Sequence, residues 1–458
     1  MSVLLQTQTT RHNAIQRCIE GSCNATYKLD ERVYTCSRCG GLLAVELPVE
    51  PRRDPLKLRE TWWARRISSE TRDRSGVWRY RELLPFTEDA PFISLAEGNT
   101  PLYDAPRSAS YCGLDALNLK HQGCNPTGSF KDTGMTTAVT QARILNARLL
   151  VCASTGNTAA SLAAYAARAD MLCAIVVPRG QVSRAKLAQS LDYGAIVLEL
   201  EGNFDDSMRV IRELSEDESI YLVNSINPFR IEGQKTVAAE LLEQLSWEVP
   251  DHVIVPGGNL GNSSAFGKGF QELFNLGIIE KVPRLSVVQA EGAAPFSRLF
   301  ARYDDNSLDD DKPVVIEMVD QPQTLASAIR IGAPISWQKA WRAVVQSKGW
   351  VLAVSEQEIA DAKAIIGRDG IGCEPASATT VAGIRHLVAA GNIKATERVV
   401  AVLTGHLLKD TDYVTSYHSG TLVDPLERPL SGTFANQPLR VSANKNDVLE
   451  AIKSCSAQ

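Results

Sequence analysis

Short apolar runs alternate with alanine-rich, helix-favouring stretches from Pro91 to about residue 410. The runs are Ala116–Lys120, Leu149–Ala153, Ala174–Val177, Ile196–Leu200, Tyr221–Val223, His252–Val255, Leu285–Gln289 and Val399–Leu403. Each is about as long as a buried strand, and the segments between them, such as Ala159–Arg168, are long enough for helices. Strands that alternate with helices predict βαβ units and an α/β fold with a mainly parallel sheet. In such folds ligands collect where loops leave strand carboxyl ends for helix N-termini, so chemistry is expected at those junctions. The most apolar stretch, Ala159 to Val177, is interrupted by Arg168 and Asp170 and is not a membrane span.

Residues 1–50 follow a different pattern. Leu43, Val45 and Leu47 alternate after the spacing Cys18-x4-Cys23-x12-Cys36-x2-Cys39, which Gly40 and Gly41 follow. Two thiolate pairs on tight turns can converge on one ion and hold together a piece too small for its own core, so the module reads as a zinc ribbon. The wide first pair leaves open a ribbon that keeps its fold by packing alone. Next comes a basic arm with Arg52, Arg53, Arg65, Arg66, Arg72 and Arg74 interleaved with Trp62, Trp63 and Trp78. Its tryptophans are expected to pack on the main body while its charges stay solvated.

Composition narrows the function. The 458 residues carry 48 Lys and Arg against 53 Asp and Glu, a net charge of −5, which disfavours nucleic acid or an anionic membrane as partner. With 44% hydrophobic and 22% charged residues the chain is an ordinary globular one. The apolar patch near Met1 is too short for a signal-peptide core, and the cysteines outside the ribbon sit mostly in apolar surroundings, as free thiols do in a reducing cytoplasm.

Four junctions carry candidate chemistry. Asn125-Pro126-Thr127-Gly128-Ser129-Phe130-Lys131-Asp132 brings a lysine to a helix entrance beside an aromatic ring. Desolvation and the helix's positive end both lower a lysine pKa there, which suits an imine-forming amine. Ser154-Thr155-Gly156-Asn157-Thr158 is a carboxylate cradle or a plain capping turn. Pro256-Gly257-Gly258-Asn259-Leu260-Gly261-Asn262 offers backbone N–H donors to a phosphate, though it has neither Walker nor dinucleotide spacing. Thr404, in Leu403-Thr404-Gly405-His406, puts a hydroxyl at a strand end.

Together these describe a site for pyridoxal phosphate and an amino acid. The chain resembles the threonine synthases, fold-type II pyridoxal-phosphate enzymes of the tryptophan synthase β-like class. The resemblance rests on NPTGSFKDTGM, ASTGNTAAS, VNSINPFRIEGQKT, PGGNLGN, SAIRIGAPISW, CEPASATTVAG and LTGHLLKD, which run in order from about residue 90 to 410. It implies two mainly parallel α/β domains, 91–225 and 226–415, after the 1–50 module and the 51–90 arm, with a 416–458 tail like that of the long, plant-type branch.

The resemblance further implies that Lys131 holds the cofactor as an imine and that Gly258, Asn259, Leu260, Gly261 and Asn262 hold its phosphate. Asn157 would meet the ring hydroxyl and Thr404 the ring nitrogen. Ser154 and Thr155 would take the substrate carboxylate, and Thr158, Ser225 and Arg230 the phosphate of O-phospho-L-homoserine. The implied reaction yields L-threonine and phosphate, in a cytoplasmic homodimer. A cysteate synthase-like β-replacement on phosphoserine is the nearest rival. Leu407 replaces a usual glycine and would strain the loop if that position needs positive φ. Lys120 reads either as a surface lysine at a strand end or as a further ligand of the substrate phosphate.

Overall fold

A computed structural model describes residues 10, 13–48, 54–179, 184–202, 204–304 and 314–456. The apolar patch near Met1, together with Arg52 and Arg53, lies outside the described residues. The ribbon is a three-stranded antiparallel sheet of β1 (Ile15–Cys18), β2 (Thr26–Lys28) and β3 (Leu43–Glu46), in the order β2-β1-β3. In the main body β4 (Leu102–Asp104) and β5 (Asn118–His121) come first. A smaller parallel sheet then forms from β6 (Leu149–Ala153), β7 (Leu172–Pro178), β8 (Ile196–Leu200) and β9 (Ile220–Leu222), in the order β8-β7-β6-β9. Finally β10 (His252–Pro256), β11 (Arg284–Ala290), β12 (Val351–Val354) and β13 (Val399–Leu403) join β4 and β5 in the order β12-β11-β10-β13-β5-β4.

Every pairing in the two larger sheets is parallel except β4 with β5. Each expected run falls on or overlaps a strand; most read as continuous apolar stretches because both faces are covered, whereas Ile196–Leu200 is a largely exposed edge strand. Two strands escaped that reading. β4 is three residues long at the sheet edge with two of them exposed, and β12 is a half-buried edge strand. The sheets also depart from the expected cut at 225/226. β4 and β5 precede it in sequence but pair with β13, so the six-stranded sheet takes strands from both sides of that boundary.

The arm packs as expected through Trp62 and Trp78, which are buried, but Trp63 stays 57% exposed. Arg66 and Arg74 stay exposed as expected, but Arg65 and Arg72 are less solvated than the sequence suggests. Arg65 forks onto both carboxylate oxygens of Glu82 at 2.7 Å, and Arg72 bonds the Ala90 carbonyl at 3.1 Å. The ribbon docks on the main body through backbone acceptors. Lys268 donates to Val45 O and Lys339 to Leu43 O, each at 2.6 Å, while Tyr34 accepts from the β9 amide of Leu222 at 2.8 Å.

Lys120 corrects both expectations. It is fully buried, donates to Thr100 O at 2.7 Å and Gln244 Oε1 at 2.8 Å, and pairs with Glu240 at 2.5 Å. It belongs to the core and reaches neither solvent nor the junction loops. Lys120→Met leaves the Glu240 charge in the interior without its lysine counter-ion and is expected to cost about 3–5 kcal/mol, measured by chemical denaturation. Adding Glu240→Gln removes the buried charge but keeps only one acceptor, whereas the amides of Asn99 and Thr100 bond different carboxylate oxygens. The double variant is therefore expected to regain part of that loss, and a double variant no better than Lys120→Met would contradict this reading. Leu407 brings no strain: it opens a 3₁₀ turn, Leu407–Lys409, and is not among the positive-φ residues.

Candidate cofactor and substrate site

β10, β13 and β5 lie side by side and run parallel, with His252 beside Val399 and Val400 beside Asn118. Their carboxyl ends therefore open on one edge, and three of the four candidate junctions start there. The lysine junction is pinned to the β13 exit, since Phe130 N donates to Thr404 O and His406 N to Gly128 O, both at 2.9 Å. Gly123 permits this contact, because a Cβ there would lie 2.6 Å from the Gly405 carbonyl carbon. Asp132 accepts from Thr127 N at 2.7 Å and from the hydroxyls of Thr127 and Ser161 at 2.6 Å. It thereby ties the lysine junction to the helix Asn157–Arg168, and burial pushes its carboxyl up to about 6.

Lys131 is the first residue of the helix Lys131–Ile144, and its Nζ sits 4.2 Å from the centre of the Phe130 ring. Burial, then the neighbouring positive charge of Arg230, lower its ammonium to about 7, against a weaker opposing pull from Glu374. Near neutrality a large share of this amine is therefore uncharged and nucleophilic.

After β10, Leu260 takes a left-handed conformation (φ 62°) and caps the helix Gly261–Asn275. Gly258 is held against the backbone of Ile329, which a Cβ would approach to 3.1 Å, and the Asn259 carbonyl accepts from Ser336 N at 3.1 Å. The helix starts just past the carboxyl end of β10, its first N–H groups have no intrahelical partner, and Ser263 Oγ beside them is buried without a partner. N–H donors at a helix start with an orphaned hydroxyl beside them fit a phosphate group.

The carboxylate junction follows β6, beside the end of β9. Asn224 locks the two strands by exchanging hydrogen bonds with Ala153 N (3.1 Å) and O (3.0 Å), which sets Ser154 and Ser225 just beyond. Ser154, Thr155, Asn157 and Thr158 are all partly exposed at the start of the helix Asn157–Arg168. Arg230, on the short helix Phe229–Gln234, is 3% exposed. Among the described residues its guanidinium makes one long contact, 3.5 Å to Val223 O, and its Nε has no partner. No carboxylate among the described residues pairs with it, and burial lowers its guanidinium to about 10. A buried cation without a counter-ion is costly unless an anion completes it.

Glu374 was not singled out from the sequence. It sits at the N-cap of the helix Pro375–Ala389 without making a capping bond, is 2% exposed, and joins two expected cofactor contacts. Asn157 Nδ2 donates to its Oε2 and Thr404 Oγ1 to its Oε1, each at 3.0 Å. Ser377, one turn along that helix, accepts from Thr404 N at 2.8 Å. The available signal was Glu374-Pro375 ahead of a helix, a position where an acidic residue usually only caps.

In the ribbon, the sulfurs of Cys18, Cys23, Cys36 and Cys39 lie within 4.8 Å of one another, with Cys18–Cys39 at 3.4 Å and Cys23–Cys36 at 3.6 Å. Tetrahedral zinc holds sulfurs roughly 3.8 Å apart, so the donor set fits despite the wide first pair. The Tyr27 hydroxyl, 3.2 Å from Cys36, is the main influence holding that thiol down to about 6.

Residues 93–405 match the family of pyridoxal-phosphate dependent enzymes. The chain is 45% identical to a threonine synthase of Methanocaldococcus jannaschii, over 87% of this chain and 93% of that one. It is 41% identical to a threonine synthase of Methanosarcina acetivorans, over 95% and 98%. Among solved structures it resembles tomato (Solanum lycopersicum) threonine deaminase isoform 2 at a TM-score of 0.57 and 20% identity, over 69% of this chain and 82% of that one. Maize serine racemase superposes at 0.56 and 20%, over 68% and 89%. At those identities the structural likeness carries the fold alone.

Proposed function

The chain belongs to the threonine synthases within the pyridoxal-phosphate-dependent enzymes, and from that membership we propose which of its residues do the work. The protein is a lyase that converts O-phospho-L-homoserine and water to L-threonine and phosphate. Pyridoxal phosphate, when bound, supplies the electron sink that makes protons at Cα and Cβ of the substrate labile.

Lys131 holds the cofactor through its amine and, once the substrate takes its place, moves protons at Cα and then Cβ. Backbone N–H groups of Gly258, Asn259, Leu260, Gly261 and Asn262 hold the cofactor phosphate. Asn157 orients the ring hydroxyl and Thr404 faces the ring nitrogen. Ser154 and Thr155 bind the substrate carboxylate, while Arg230, with Ser225 and Thr158, binds the phosphate that leaves from Cγ. The observation that carries this assignment is Arg230, a buried cation without a counter-ion whose charge is felt at Lys131. Arginine's planar fork matches a phosphate ester and selects it over unphosphorylated amino acids.

The test compares O-phosphohomoserine with phosphoserine plus sulfite. Threonine from the first and no turnover of the second supports the reading, and the reverse moves the protein to cysteate synthesis.

Four further parts of the reading go with it. The four ribbon cysteines hold one structural zinc, supported by their converging sulfurs. Metal analysis is expected to give one zinc per chain. Replacing Cys36 with serine is expected to lose it and to loosen the bonds that Lys268 and Lys339 make to β3, seen as faster hydrogen exchange in Leu43–Glu46. The protein forms a homodimer, supported by Leu56, Trp63 and Ile67, which are 65%, 57% and 80% exposed on or just beyond the helix Pro55–Arg66. It works in the cytoplasm, supported by its free thiols; among the described residues no helix is long and apolar enough to cross a membrane. The catalytic body divides by sheet, with β6–β9 in one domain and β4 and β5 joined to β10–β13 in the other.

A further inference from the structure

We propose that Glu374 sets the direction of the Thr404 hydroxyl and so supplies the cofactor's ring nitrogen with a carboxylate at one remove. This rests on the assignment of Thr404 to that nitrogen. Hydrogen-bond capacity around Thr404 leaves few ways to place the protons. Ser377 Oγ accepts from Thr404 N at 2.8 Å and from Gly405 N at 3.2 Å, which uses both of its lone pairs. Its own proton is then free for Thr404 Oγ1, 3.2 Å away. Thr404 Oγ1 is left with one lone pair and one proton, to be divided between Glu374 Oε1 at 3.0 Å and the ring nitrogen.

Only two arrangements satisfy all groups. In one, ionised Glu374 accepts from Thr404, whose remaining lone pair accepts from a protonated ring nitrogen. In the other, protonated Glu374 donates to Thr404, which donates to a bare ring nitrogen. The two differ by one proton passed across Thr404, with none gained or lost. A hydroxyl alone would leave the ring nitrogen unprotonated, whereas this relay lets it carry a proton and draw more charge from the substrate.

The surroundings are built for the relay. Asn157 Nδ2 fixes the other carboxylate oxygen at 3.0 Å. Gly405 leaves the space that the carboxyl fills, since a Cβ there would lie 2.2 Å from Glu374 Cδ. Burial, with Asp410 adding to it, raises the Glu374 carboxyl, while its bonds to Asn157 and Thr404 and the charge of Lys409 oppose. Lys131 also faces it. The group is therefore able to hold a proton as well as to release one.

The test reconstitutes the holoenzyme with pyridoxal phosphate isotope-labelled at the ring nitrogen and reads the nitrogen chemical shift by NMR. Glu374→Gln keeps the shape, accepts from Asn157 and donates to Thr404, which fixes Thr404 as donor to the ring. The wild type is expected upfield, toward the protonated form, and Glu374→Gln downfield, with cofactor bound in both. Gly405→Ala, which expels the carboxyl from its place, is expected to give the same downfield shift should the glutamine variant fail to fold. Equal shifts in the wild type and the variants overturn the proposal. Thr404→Val separates that failure from failure of the underlying assignment. If it moves the nitrogen shift while Glu374→Gln does not, the proposal alone falls; if it moves nothing, Thr404 does not face the ring and both fall.

Discussion

Lys131→Ala is expected to abolish turnover, with a loss of about 10⁴-fold, the upper end for a residue that transfers protons, since the proposed role of Lys131 joins proton transfer to holding the cofactor. The visible absorbance of lysine-bound cofactor should vanish with it. A second effect follows from burial. The Lys131 ammonium is held at about 7, whereas an unfolded lysine titrates near ~10.4. Between those values the unfolded chain binds a proton that the folded chain does not, so this residue's contribution to stability rises with pH across the window. The Lys131→Ala apoprotein should lose that rise, as seen in unfolding curves taken between neutral and alkaline pH. An alanine variant with wild-type pH dependence would place the lysine in a solvated position and remove the basis for its reactivity.

Arg230→Leu should move function and stability in opposite directions. Its guanidinium is buried, unpaired among the described residues, and lowered to about 10 by desolvation. Losing the proposed bond to the substrate phosphate is expected to lower kcat/KM by about 10³-fold, within the roughly 2–5 kcal/mol of a buried charged hydrogen bond. Without ligand, the apolar replacement removes an uncompensated buried charge, so the thermal midpoint should rise. Inorganic phosphate should stabilise the wild type and leave the variant unmoved, because only a state that binds the anion gains from it. Arg230→Lys should recover part of the activity at most, since a point charge lacks the fork. A variant that loses stability and still responds to phosphate would show that Arg230 is structural.

What the sequence displayed and what it hid follow from one distinction. Strand cores such as Val399–Leu403, buried on both faces, announce themselves by composition, and so do the glycine- and hydroxyl-rich junctions at their ends. The partner of a polar side chain does not. Lys120 looks like an exposed strand-end lysine until Glu240, from a helix far along the chain, meets it in the core. Arg65 looks solvated until Glu82 takes its fork. Glu374 looks like a helix cap, and its role arises only because β13 brings Thr404 to it and the helix from the smaller sheet brings Asn157. The sheet that spans residue 225 was hidden for the same reason: β5 pairs with β13 across most of the chain, and pairing of that range leaves no local trace.

Taken together, these residues are proposed to build a site that removes phosphate from Cγ of O-phosphohomoserine and returns water at Cβ. The most direct measurement is the ratio of threonine formed to phosphate released by the purified holoenzyme from that substrate. Equimolar threonine and phosphate, both lost in Lys131→Ala, is the predicted result. Phosphate accompanied by homoserine or a keto acid in place of threonine would contradict it.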